Sequence, residues 1–482
     1  MIIVSVTGPT MAEAFAQIRA SRRWADIFEL RLDLIRDLQL APLMRPVARP
    51  RVATLRPVRE GGSYDGDEGI RLAVLKDAVL SGAEYVDIEL SSGKRAVEDL
   101  RAVSRSVRII VSHHMSEVPR SGREAYAKFR KCGGDILKWV YPAGDSADLR
   151  FARDFLRLAH TERRNAIALA MGEAGEASRV LYRCFGGWAT YAAAEEGPPA
   201  APGQVRASML RDTYRAPALN ARTRVFGLLG NPVAQSKGIF LHNALFRRAG
   251  ANAVYVRFLT RNLAGFASSI LPLVQGCSVT TPFKERAPAL ARSVEPAVRS
   301  SGAANTLYRV GHVLHAANSD AAAALDAIEQ VCRVKGKRLL LIGAGGAARA
   351  IASEATRRGA EVIVANRTAA RAEALARDLG ARAVSDVTGV EYEILANATS
   401  VGMFPHVDEM PVHAGILRPG TVVFDAIYNP RETRLLREAR AAGARVVSGA
   451  EMYVRQAARQ QELFLHRRVN TGLLRRTVNR YL

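Results

Sequence analysis

Short apolar runs alternate with amphipathic stretches along the first part of the chain. Apolar runs bounded by turn residues are typical of parallel strands that are buried on both faces. They predict eight strands, at residues 2–6, 26–32, 51–56, 85–90, 108–114, 135–140, 165–171 and 188–193. Helical periodicity fills the gaps between them, as in EGIRLAVLKDAVLSG, so the pattern predicts a (β/α)8 barrel.

A second α/β pattern begins after GPPAAPGQ (197–204), whose prolines and glycines break regular structure. It starts with VFGLLGNP (225–232), so the boundary lies near residues 205–222. Further along, KRLLLIGAGGAARAIASEATRRG (337–359) predicts a strand, a glycine-rich turn and a helix. This succession indicates a parallel sheet of the Rossmann type in the second part of the chain.

The 482-residue chain is 48 % hydrophobic and 24 % charged, as expected of a globular protein with more than one domain. Its apolar runs are too short to cross a membrane, and its start, MIIVSVTG, has no basic leader. Its four cysteines show neither metal-ligand nor disulfide spacing, which indicates a reducing compartment. We therefore expect a cytoplasmic protein with no membrane partner and no metal.

The formal net charge is +23, from 69 basic and 46 acidic side chains. The basic residues are almost all arginines, scattered over predicted helical faces without a basic tail or a patch interleaved with aromatic residues. Anionic small substrates account for this charge at least as well as nucleic acid does, so no nucleic-acid partner is predicted. The sequence predicts no particular oligomeric state.

Polar side chains occur near the carboxyl ends of the predicted barrel strands, where barrel active sites lie. Lys138 interrupts the apolar strand 135–140, and His114 ends the fifth strand. Charged or polar side chains end or follow nearly all the other strands. A desolvated lysine among cations becomes a nucleophilic amine, and a histidine moves protons near neutral pH. The joint pattern predicts Schiff-base chemistry on an anionic carbonyl compound.

Six motifs in this part carry a family resemblance: FELRLD, TLRPVREGG, SHHM, DILKWV, MGEAGEASR and APGQ. In this order they resemble type I 3-dehydroquinate dehydratase over residues 1–210. The resemblance implies that Lys138 forms an imine with the substrate ketone. It also implies that His114 is the general base, that Glu60 orients or charge-balances it, and that His113 is only a neighbour.

The same resemblance assigns substrate contacts in the barrel. The residues implied to bind the ring hydroxyls are Glu29, Arg31 and Arg56. The residues implied to bind the carboxylate are Arg179 and Gln204. One position departs from the family pattern, since the serine usual four residues before the glutamine is Ala200 here. The missing hydroxyl is expected to weaken substrate binding without touching the chemistry.

The turn IGAGGAARA (342–350) follows an apolar strand and opens a helix. Gly343, Gly345 and Ala348 fit G-x-G-x-x-A, which lets the backbone approach a pyrophosphate at a helix N-terminus. An NAD site usually has an acidic residue at the end of the next strand, but this chain has Asn366-Arg367-Thr368. Because an arginine there accommodates a 2′-phosphate, the sequence predicts NADP rather than NAD.

Residues 223–482 resemble shikimate dehydrogenase in VFGLLGNPVAQSKGIFLHNALF, SVTTPFKE, ANSDAAAA, FDAIYNP and EMYVRQAARQQ. The resemblance implies that Lys284 and Asp320 form the catalytic pair, with the lysine handling the proton while hydride moves to or from the nicotinamide. Implied substrate contacts are Ser236, Thr280, Asn305, Tyr428 and Gln456. The predicted cofactor contacts, most of them from the glycine-rich turn and from the end of the strand after it, are Gly343, Ala344, Gly345, Gly346, Ala347, Asn366, Arg367, Thr368, Thr399 and Gly449.

This part also departs from its family pattern, because the usual Ser-x-Ser-Pro is Ser236-Lys237-Gly238-Ile239 here. Gly238 deletes a hydroxyl near the expected substrate carboxylate, and a hydrogen bond to a charged group contributes about 1.5–3 kcal/mol. Either shikimate binds less tightly, another group compensates, or the pocket also admits the bulkier quinate. Thr280, the usual residue at its position, favours shikimate.

Together the resemblances predict a bifunctional shikimate-pathway enzyme that dehydrates 3-dehydroquinate to 3-dehydroshikimate and reduces this to shikimate with NADPH. The predicted parts are a barrel (1–210), a linker (211–222), a substrate-binding domain (223–322), an NADP-binding Rossmann domain (323–455) and a C-terminal helix returning to the substrate domain (456–482). Two alternatives stay open: a quinate-directed dehydrogenase in the second half, and a metabolite-binding regulator derived from such enzymes.

Overall fold

The computed structural model describes residues 1–45, 49–469 and 471–481. Its strands form one eight-stranded sheet and two six-stranded sheets. The chain divides into two compact units. One contains Met1–Gly227, Asn231–Gln235 and Gly250–Val274, and the other contains Leu228–Gly230, Ser236–Ala249 and Gln275–Leu482.

The first eight strands pair in parallel with their neighbours. They are β1 (Ile2–Val6), β2 (Ile27–Arg31), β3 (Arg51–Thr54), β4 (Tyr85–Glu89), β5 (Arg108–His114), β6 (Ile136–Pro142), β7 (Asn165–Met171) and β8 (Thr190–Ala193). Their spatial order is β7-β6-β5-β4-β3-β2-β1-β8. The Trp188 N–H, just before β8, donates to the Ala166 carbonyl of β7 at 2.8 Å, so the sheet is nearly closed. The predicted barrel is confirmed.

Helices connect these strands and cover the barrel. They are α1 (Met11–Ser21), α2 (Leu40–Met44), α3 (Glu68–Leu80), α4 (Gly93–Val103), α5 (Gly122–Phe129), α6 (Leu149–Thr161) and α7 (Glu176–Leu181). In α6 the buried residues recur at helical spacing, and Phe155 stacks on Trp139 of β6 with ring centroids 5.1 Å apart. Because strand side chains alternate, Lys138 lies on the opposite face of β6, towards the barrel interior.

The second sheet is mixed, since β11 and β13 pair antiparallel, as do β13 and β14, while β12 and β14 pair in parallel. Its strands are β9 (Arg224–Gly230), β10 (Ala253–Leu259), β11 (Val274–Val279), β12 (Ser293–Val294), β13 (Thr306–Val310) and β14 (Val313–Ala317), in the order β10-β9-β11-β13-β14-β12. The helices of this region are α8 (Gly238–Arg248), α9 (Leu263–Ser269) and α10 (Pro296–Ser301).

The third sheet is parallel throughout. It contains β15 (Arg338–Ile342), β16 (Glu361–Ala365), β17 (Arg382–Val384), β18 (Ile394–Asn397), β19 (Val422–Asp425) and β20 (Arg445–Val447), in the order β17-β16-β15-β18-β19-β20. Its helices are α11 (Asp320–Ile328), α12 (Gly346–Arg357), α13 (Ala369–Leu379) and α14 (Arg434–Ala441). The strand order reverses between β15 and β18, which creates the crevice where a dinucleotide binds in such folds. The predicted Rossmann-type sheet is confirmed.

Two helices end the described chain, α15 (Gly449–Leu465) and α16 (Thr471–Tyr481). The single C-terminal helix expected from residue 456 is therefore wrong in two respects, its start and its number. The apolar positions of α15 begin with Ala450 and Met452, both buried, so the helical face extends further back than the glutamine-rich segment indicates. None of the described helices is long and apolar enough to span a membrane.

Candidate active sites

Eight predicted barrel residues line one cavity of about 310 Å³. They are Glu29, Arg31, Arg56, Glu60, His114, Lys138, Arg179 and Gln204. Ala200, the position where the family's serine is missing, lines the same cavity. The structure therefore brings together side chains from six strands or the loops after them, as expected for the carboxyl end of a barrel.

Lys138 is buried and its ammonium group contacts two carboxylates. Its Nζ donates to Asp87 Oδ2 at 2.9 Å and to Glu29 Oε1 at 3.2 Å. The Tyr191 ring covers another side, with its centroid 4.0 Å from Nζ. The expectation of a lysine surrounded by cations is therefore wrong, because two carboxylates contact its ammonium group. The ammonium group is a paired charge, which is what makes its burial tolerable.

Arg56 shares the Asp87 carboxylate with Lys138. Its guanidinium lies 2.8 Å from Asp87 Oδ1 and 2.5 Å from Glu89 Oε1, and Arg71 Nη1 lies 2.6 Å from the other oxygen of Glu89. Burial lowers the pKa of Arg56, but the adjacent Asp87 and Glu89 outweigh burial and raise it. We call Arg71, Glu89, Arg56, Asp87 and Lys138 the charge chain, since the signs alternate along it. Each buried charge has an opposite neighbour.

His114 is held by the Glu60 carboxylate. Glu60 Oε2 accepts from the His114 backbone N–H at 2.9 Å and lies 3.3 Å from Nδ1, while Oε1 lies 3.6 Å from His113 Nδ1. Burial and then the Arg56 charge lower the pKa of His114 to about 3. Burial raises the pKa of Glu60, but hydrogen bonds from His113 and His114 outweigh it and bring it to about 2. A carboxylate beside Nδ1 favours the Nδ1–H tautomer, which leaves Nε2 as a proton acceptor.

Three further predicted residues are tied to the rim of the cavity. Arg31 forms a two-bond ion pair with Asp33, at 2.9 Å from Nε and 2.6 Å from Nη2. Arg179 Nε donates to the Gly203 carbonyl at 3.0 Å, and burial lowers the pKa of Arg179 to about 10. The Gln204 side-chain oxygen accepts from the Ala200 backbone N–H at 2.8 Å. The loop 200–204 is thus held over the cavity by two of the side chains expected to bind the substrate carboxylate.

Sequence reasoning assigned no role to Asp87 and did not find Tyr191. Asp87 stood out only as a polar residue in the fourth strand, and strand alternation puts it on the interior face. Alternation does not say which residue of another strand lies opposite, because this depends on the stagger of the strands in the barrel. Tyr191 looked like an ordinary aromatic core residue of the eighth strand.

In the second part of the chain, Lys284, Asp320 and Asn305 come together. Lys284 Nζ lies 2.5 Å from Asp320 Oδ2, and Asn305 Nδ2 donates to Asp320 Oδ1 at 2.7 Å. Asp320 is buried and is the first residue of α11, whereas Ser319 occupies the cap position. The Asp320 carboxylate therefore holds Lys284 instead of serving only as a helix cap, the alternative reading of an aspartate at a helix start.

The amides of this site hold one another. Asn305 Oδ1 accepts from the Ser319 backbone N–H at 3.0 Å, so both ends of this amide are engaged within the protein. Gln460, which sequence reasoning missed, accepts from Ser278 Oγ at 2.8 Å and donates to Thr306 Oγ1 at 3.0 Å. It lies one helical turn after the predicted Gln456 on α15, a spacing that places both residues on one face of the helix.

Tyr428 stacks on Tyr453, with ring centroids 4.9 Å apart. Burial, followed by the Asp320 charge, raises the pKa of Tyr428, so its phenol stays protonated near Asp320. Thr280 packs against Gly230, where an added Cβ would lie 2.2 Å from the threonine Cγ2. Ser236 Oγ accepts from the Gly238 N–H at 3.2 Å, so the hydroxyl is turned towards the start of α8.

The glycine-rich turn between β15 and α12 fits a dinucleotide. Gly343 has φ +119°, and a Cβ there would lie 3.1 Å from Thr399 Cγ2, so only glycine is unstrained. A Cβ added at Gly345 would meet no atom within 4 Å, so this backbone faces open space at the start of a helix. Such a turn presents backbone N–H groups to a pyrophosphate.

The other predicted cofactor residues stand around this turn. Arg367 is exposed after β16 and makes no hydrogen bond or ion pair with the described part of the chain. Asn366 Nδ2 donates to the Thr368 carbonyl at 3.0 Å. Gly449 begins α15 so close to the preceding loop that a Cβ would lie 2.4 Å from the Ile427 carbonyl oxygen. The residues present therefore fit a dinucleotide with a 2′-phosphate.

Three family models match the chain in succession. Type I 3-dehydroquinase matches residues 2–220. The shikimate dehydrogenase substrate binding domain matches residues 228–307, and shikimate / quinate 5-dehydrogenase matches residues 325–401. The matched segments follow the order in which the two sites occur.

Some known proteins match nearly the whole chain, and others match its second part alone. The bifunctional 3-dehydroquinate dehydratase/shikimate dehydrogenase, chloroplastic, of Arabidopsis thaliana is 36 % identical over 495 residues, which is 95 % of this chain and 81 % of the relative. The shikimate dehydrogenase (NADP(+)) of Methanothermobacter thermautotrophicus is 35 % identical over 281 residues, 54 % of this chain and 99 % of the relative. The structure of shikimate 5-dehydrogenase from Thermus thermophilus in complex with NADP(H) and shikimate matches with a TM-score of 0.51 at 32 % identity, covering 54 % of this chain and all of that one.

Proposed function

The chain belongs to the family of bifunctional 3-dehydroquinate dehydratase/shikimate dehydrogenases, and from this premise we propose how each site carries out its reaction. In the barrel, we propose that Lys138 is the nucleophile that forms the imine. In the second part, we propose that Lys284 and Asp320 handle the proton of a carbonyl reduction that uses NADPH. The observation that carries the first assignment is the cavity in which Lys138 and the His114–Glu60 pair meet.

Dehydration needs a proton removed and a hydroxyl expelled. Once Lys138 has condensed with the substrate ketone and released water, the cationic nitrogen acidifies the neighbouring C–H bond. Neutral His114, with Nδ1 directed at Glu60, takes this proton on Nε2 and then delivers it to the leaving hydroxyl, which departs as water. Another water molecule then hydrolyses the imine, which frees Lys138 and the product. Glu60 stabilises the transient imidazolium through the 3.3 Å contact with Nδ1.

The remaining barrel residues bind the substrate in this proposal. Arg179 and Gln204 hold its carboxylate, and Glu29 and Arg31 hold its ring hydroxyls. For Arg56 the geometry favours a role other than the ring-hydroxyl contact expected from the resemblance. Its guanidinium is committed to Asp87 and Glu89, and its charge helps to keep His114 neutral. Arg56 therefore acts through its neighbours.

When bound, NADP supplies or accepts the hydride of the second reaction. Lys284 gives its proton to the substrate oxygen as the carbonyl is reduced, and takes it back in the reverse direction. The Asp320 carboxylate at 2.5 Å holds the lysine side chain in position, and Asn305 keeps the carboxylate in place. Ser236, Thr280, Tyr428 and Gln456 complete the substrate contacts. The open turn at Gly345 and the exposed Arg367 support NADP as the cofactor.

We further propose a cytoplasmic protein that acts on small molecules and not on nucleic acid. All four cysteines are free, as in a reducing compartment. We also propose the division into barrel (1–210), linker (211–222) and substrate-binding domain (223–322), followed by a Rossmann domain that starts at residue 323 and by a C-terminal segment. Because α15 begins at Gly449, we place the start of the C-terminal segment there and not at residue 456.

The test is to supply 3-dehydroquinate and NADPH to the intact chain and follow the products. We expect shikimate, with one NADPH oxidised per molecule. Lys138→Ala should abolish conversion of 3-dehydroquinate but still reduce added 3-dehydroshikimate, and Lys284→Met should stop at 3-dehydroshikimate. Ligand binding without turnover would instead support a regulator.

A second candidate, quinate as a further substrate of the dehydrogenase half, rests on Gly238. Glycine has no side chain here, whereas the family pattern has a second hydroxyl side chain two residues after Ser236. We expect Gly238→Ser to lower the ratio of kcat/KM for quinate to that for shikimate by about tenfold, the effect of one hydrogen bond gained and space lost. An unchanged ratio would eliminate this candidate.

A further inference from the structure

Two carboxylates compete for the Lys138 ammonium group. Asp87 Oδ2 lies 2.9 Å from Nζ and Glu29 Oε1 lies 3.2 Å from it. All three side chains are buried, with 4 % or less of each residue exposed. Water is therefore a poor substitute for either contact, and a carboxylate that lost its donor here would be a costly unpaired acceptor.

Imine formation changes the number of donors on this nitrogen. An ammonium group and a carbonyl group combine to give an iminium group and one water, so two of the three N–H hydrogens leave with the carbonyl oxygen. The positive charge stays on the nitrogen, but a single N–H remains. That N–H can serve only one of the two carboxylates, so one of them must give up its contact with Nζ.

The hydrogen bonds around each carboxylate show which one keeps it. Glu29 has other donors, with Ser5 Oγ 2.7 Å from Oε2 and Thr54 Oγ1 3.3 Å from Oε1. Asp87 Oδ2 has no donor besides Lys138 among the described residues. Releasing Glu29 thus leaves a carboxylate that is still hydrogen-bonded, whereas releasing Asp87 would orphan a buried oxygen.

The other oxygen of Asp87 is fixed. Oδ1 accepts from Arg56 Nη2 at 2.8 Å and from Ser112 Oγ at 2.6 Å, so the carboxylate cannot follow another partner. The remaining side of the nitrogen is covered by the Tyr191 ring at 4.0 Å, which attracts a cation but accepts no strong hydrogen bond. Asp87 is therefore both the better placed and the less replaceable acceptor.

We propose that Asp87 is a further catalytic residue of the dehydratase site, which holds the iminium N–H throughout the reaction, while Glu29 leaves Nζ and accepts a hydroxyl of the substrate. This inference rests on the proposed imine at Lys138. The two carboxylates thus have different roles, although both contact the same ammonium group in the structure. Asp87 orients the reacting nitrogen, and Glu29 exchanges one donor for another as the substrate arrives.

The matched pair Asp87→Asn and Glu29→Gln tests this division, since each variant removes one charge and keeps the shape. We expect Asp87→Asn to lower kcat for dehydration, and the rate of borohydride trapping at saturating 3-dehydroquinate, by about 10- to 100-fold, the loss of a charge-assisted hydrogen bond. Glu29→Gln should instead raise KM about tenfold and trap at nearly the wild-type rate once saturated. Equal losses of kcat in both variants, or wild-type behaviour of Asp87→Asn, would overturn the proposal.

A neutral pair guards against misfolding of the charge variants. Ser112→Ala removes a donor to Asp87, and Thr54→Val removes one to Glu29, without changing any charge. We expect Ser112→Ala to lower kcat, and Thr54→Val to raise KM, each by about 3- to 10-fold. Reduction of 3-dehydroshikimate by the same chains and their thermal unfolding report folding. Absence of any wild-type adduct at Lys138 would refute the imine itself, whereas an adduct without the split would refute only the role of Asp87.

Discussion

Replacing Glu60 by glutamine removes a buried charge beside His114 while keeping the side chain's shape. The carboxylate lies 2.9 Å from the His114 backbone nitrogen and 3.3 Å from Nδ1. In the proposed mechanism His114 is neutral before it takes the substrate proton, because burial and Arg56 bring its pKa to about 3. The imidazolium thus exists only after proton transfer, and the contact that stabilises it acts mainly on the transition state. A lost charge-assisted hydrogen bond costs about 1.5–3 kcal/mol, so we expect kcat to fall about 10- to 150-fold with KM nearly unchanged.

The assay is the initial rate of 3-dehydroshikimate formation from 3-dehydroquinate between about pH 5 and about pH 8, the range in which an ordinary histidine titrates. With pKa values of about 3 for His114 and about 2 for Glu60, neither group should produce a limb in this range in the wild type. The exposed Glu124→Gln is the matched control, and 3-dehydroshikimate reduction by the same chain controls for folding. A Glu60→Gln enzyme with kcat within about twofold of the wild type would refute the orientation argument.

Three other predictions concern the second part of the chain. Arg367→Ser should raise KM for NADPH about tenfold or more and leave KM for NADH unchanged, because only the 2′-phosphate loses a charged partner; equal changes in steady-state kinetics would contradict this. Asp320→Asn, which breaks the 2.5 Å ion pair with Lys284, should lower kcat for shikimate oxidation about 10- to 150-fold and spare dehydration, and a normal kcat would remove Asp320 from the mechanism. Burial raises the pKa of Asp425 to about 6, above its unfolded value of about 3.9, so the folded state holds a proton that the unfolded state releases. As the pH rises from about 4 to about 6, the free energy of unfolding of the wild type should therefore fall by about 2 kcal/mol relative to that of Asp425→Asn. If urea unfolding gives the same pH dependence for both proteins across this range, the folded state does not hold this proton.

The barrel could be predicted because its strands are buried on both faces. Such strands are continuous apolar runs, and any charge within them, as in DILKWV, is conspicuous. The clustering of the predicted residues in one cavity follows from parallel strands delivering their ends to the same side. The glycine-rich turn could also be predicted, because the glycine spacing follows from the positive φ at Gly343 and from the open backbone at Gly345.

The partners of each charge could not be predicted in the same way. Sequence alternation says that Lys138, Asp87 and Glu29 face inwards, but the stagger of the strands decides which of them touch. The sequence therefore does not reveal that the charges in contact with Lys138 are the carboxylates of Asp87 and Glu29 instead of the predicted cations. Likewise, nothing in the sequence shows that the Asn305 amide is committed to Asp320 and Ser319. Such contacts arise between segments that are distant in the chain.

The charge chain from Arg71 to Lys138 has a consequence for how this barrel can change over time. Removing Glu89 alone would leave Arg56 and Arg71 without the carboxylate between them. Removing Arg56 alone would leave Asp87 and Glu89 without the guanidinium between them. Each single substitution leaves the neighbouring buried charges with one opposite charge fewer and unbalances the chain, so its cost depends on whether a second substitution restores the balance. The five positions are thus epistatic, and their descendants should change in compensating pairs or keep all five residues.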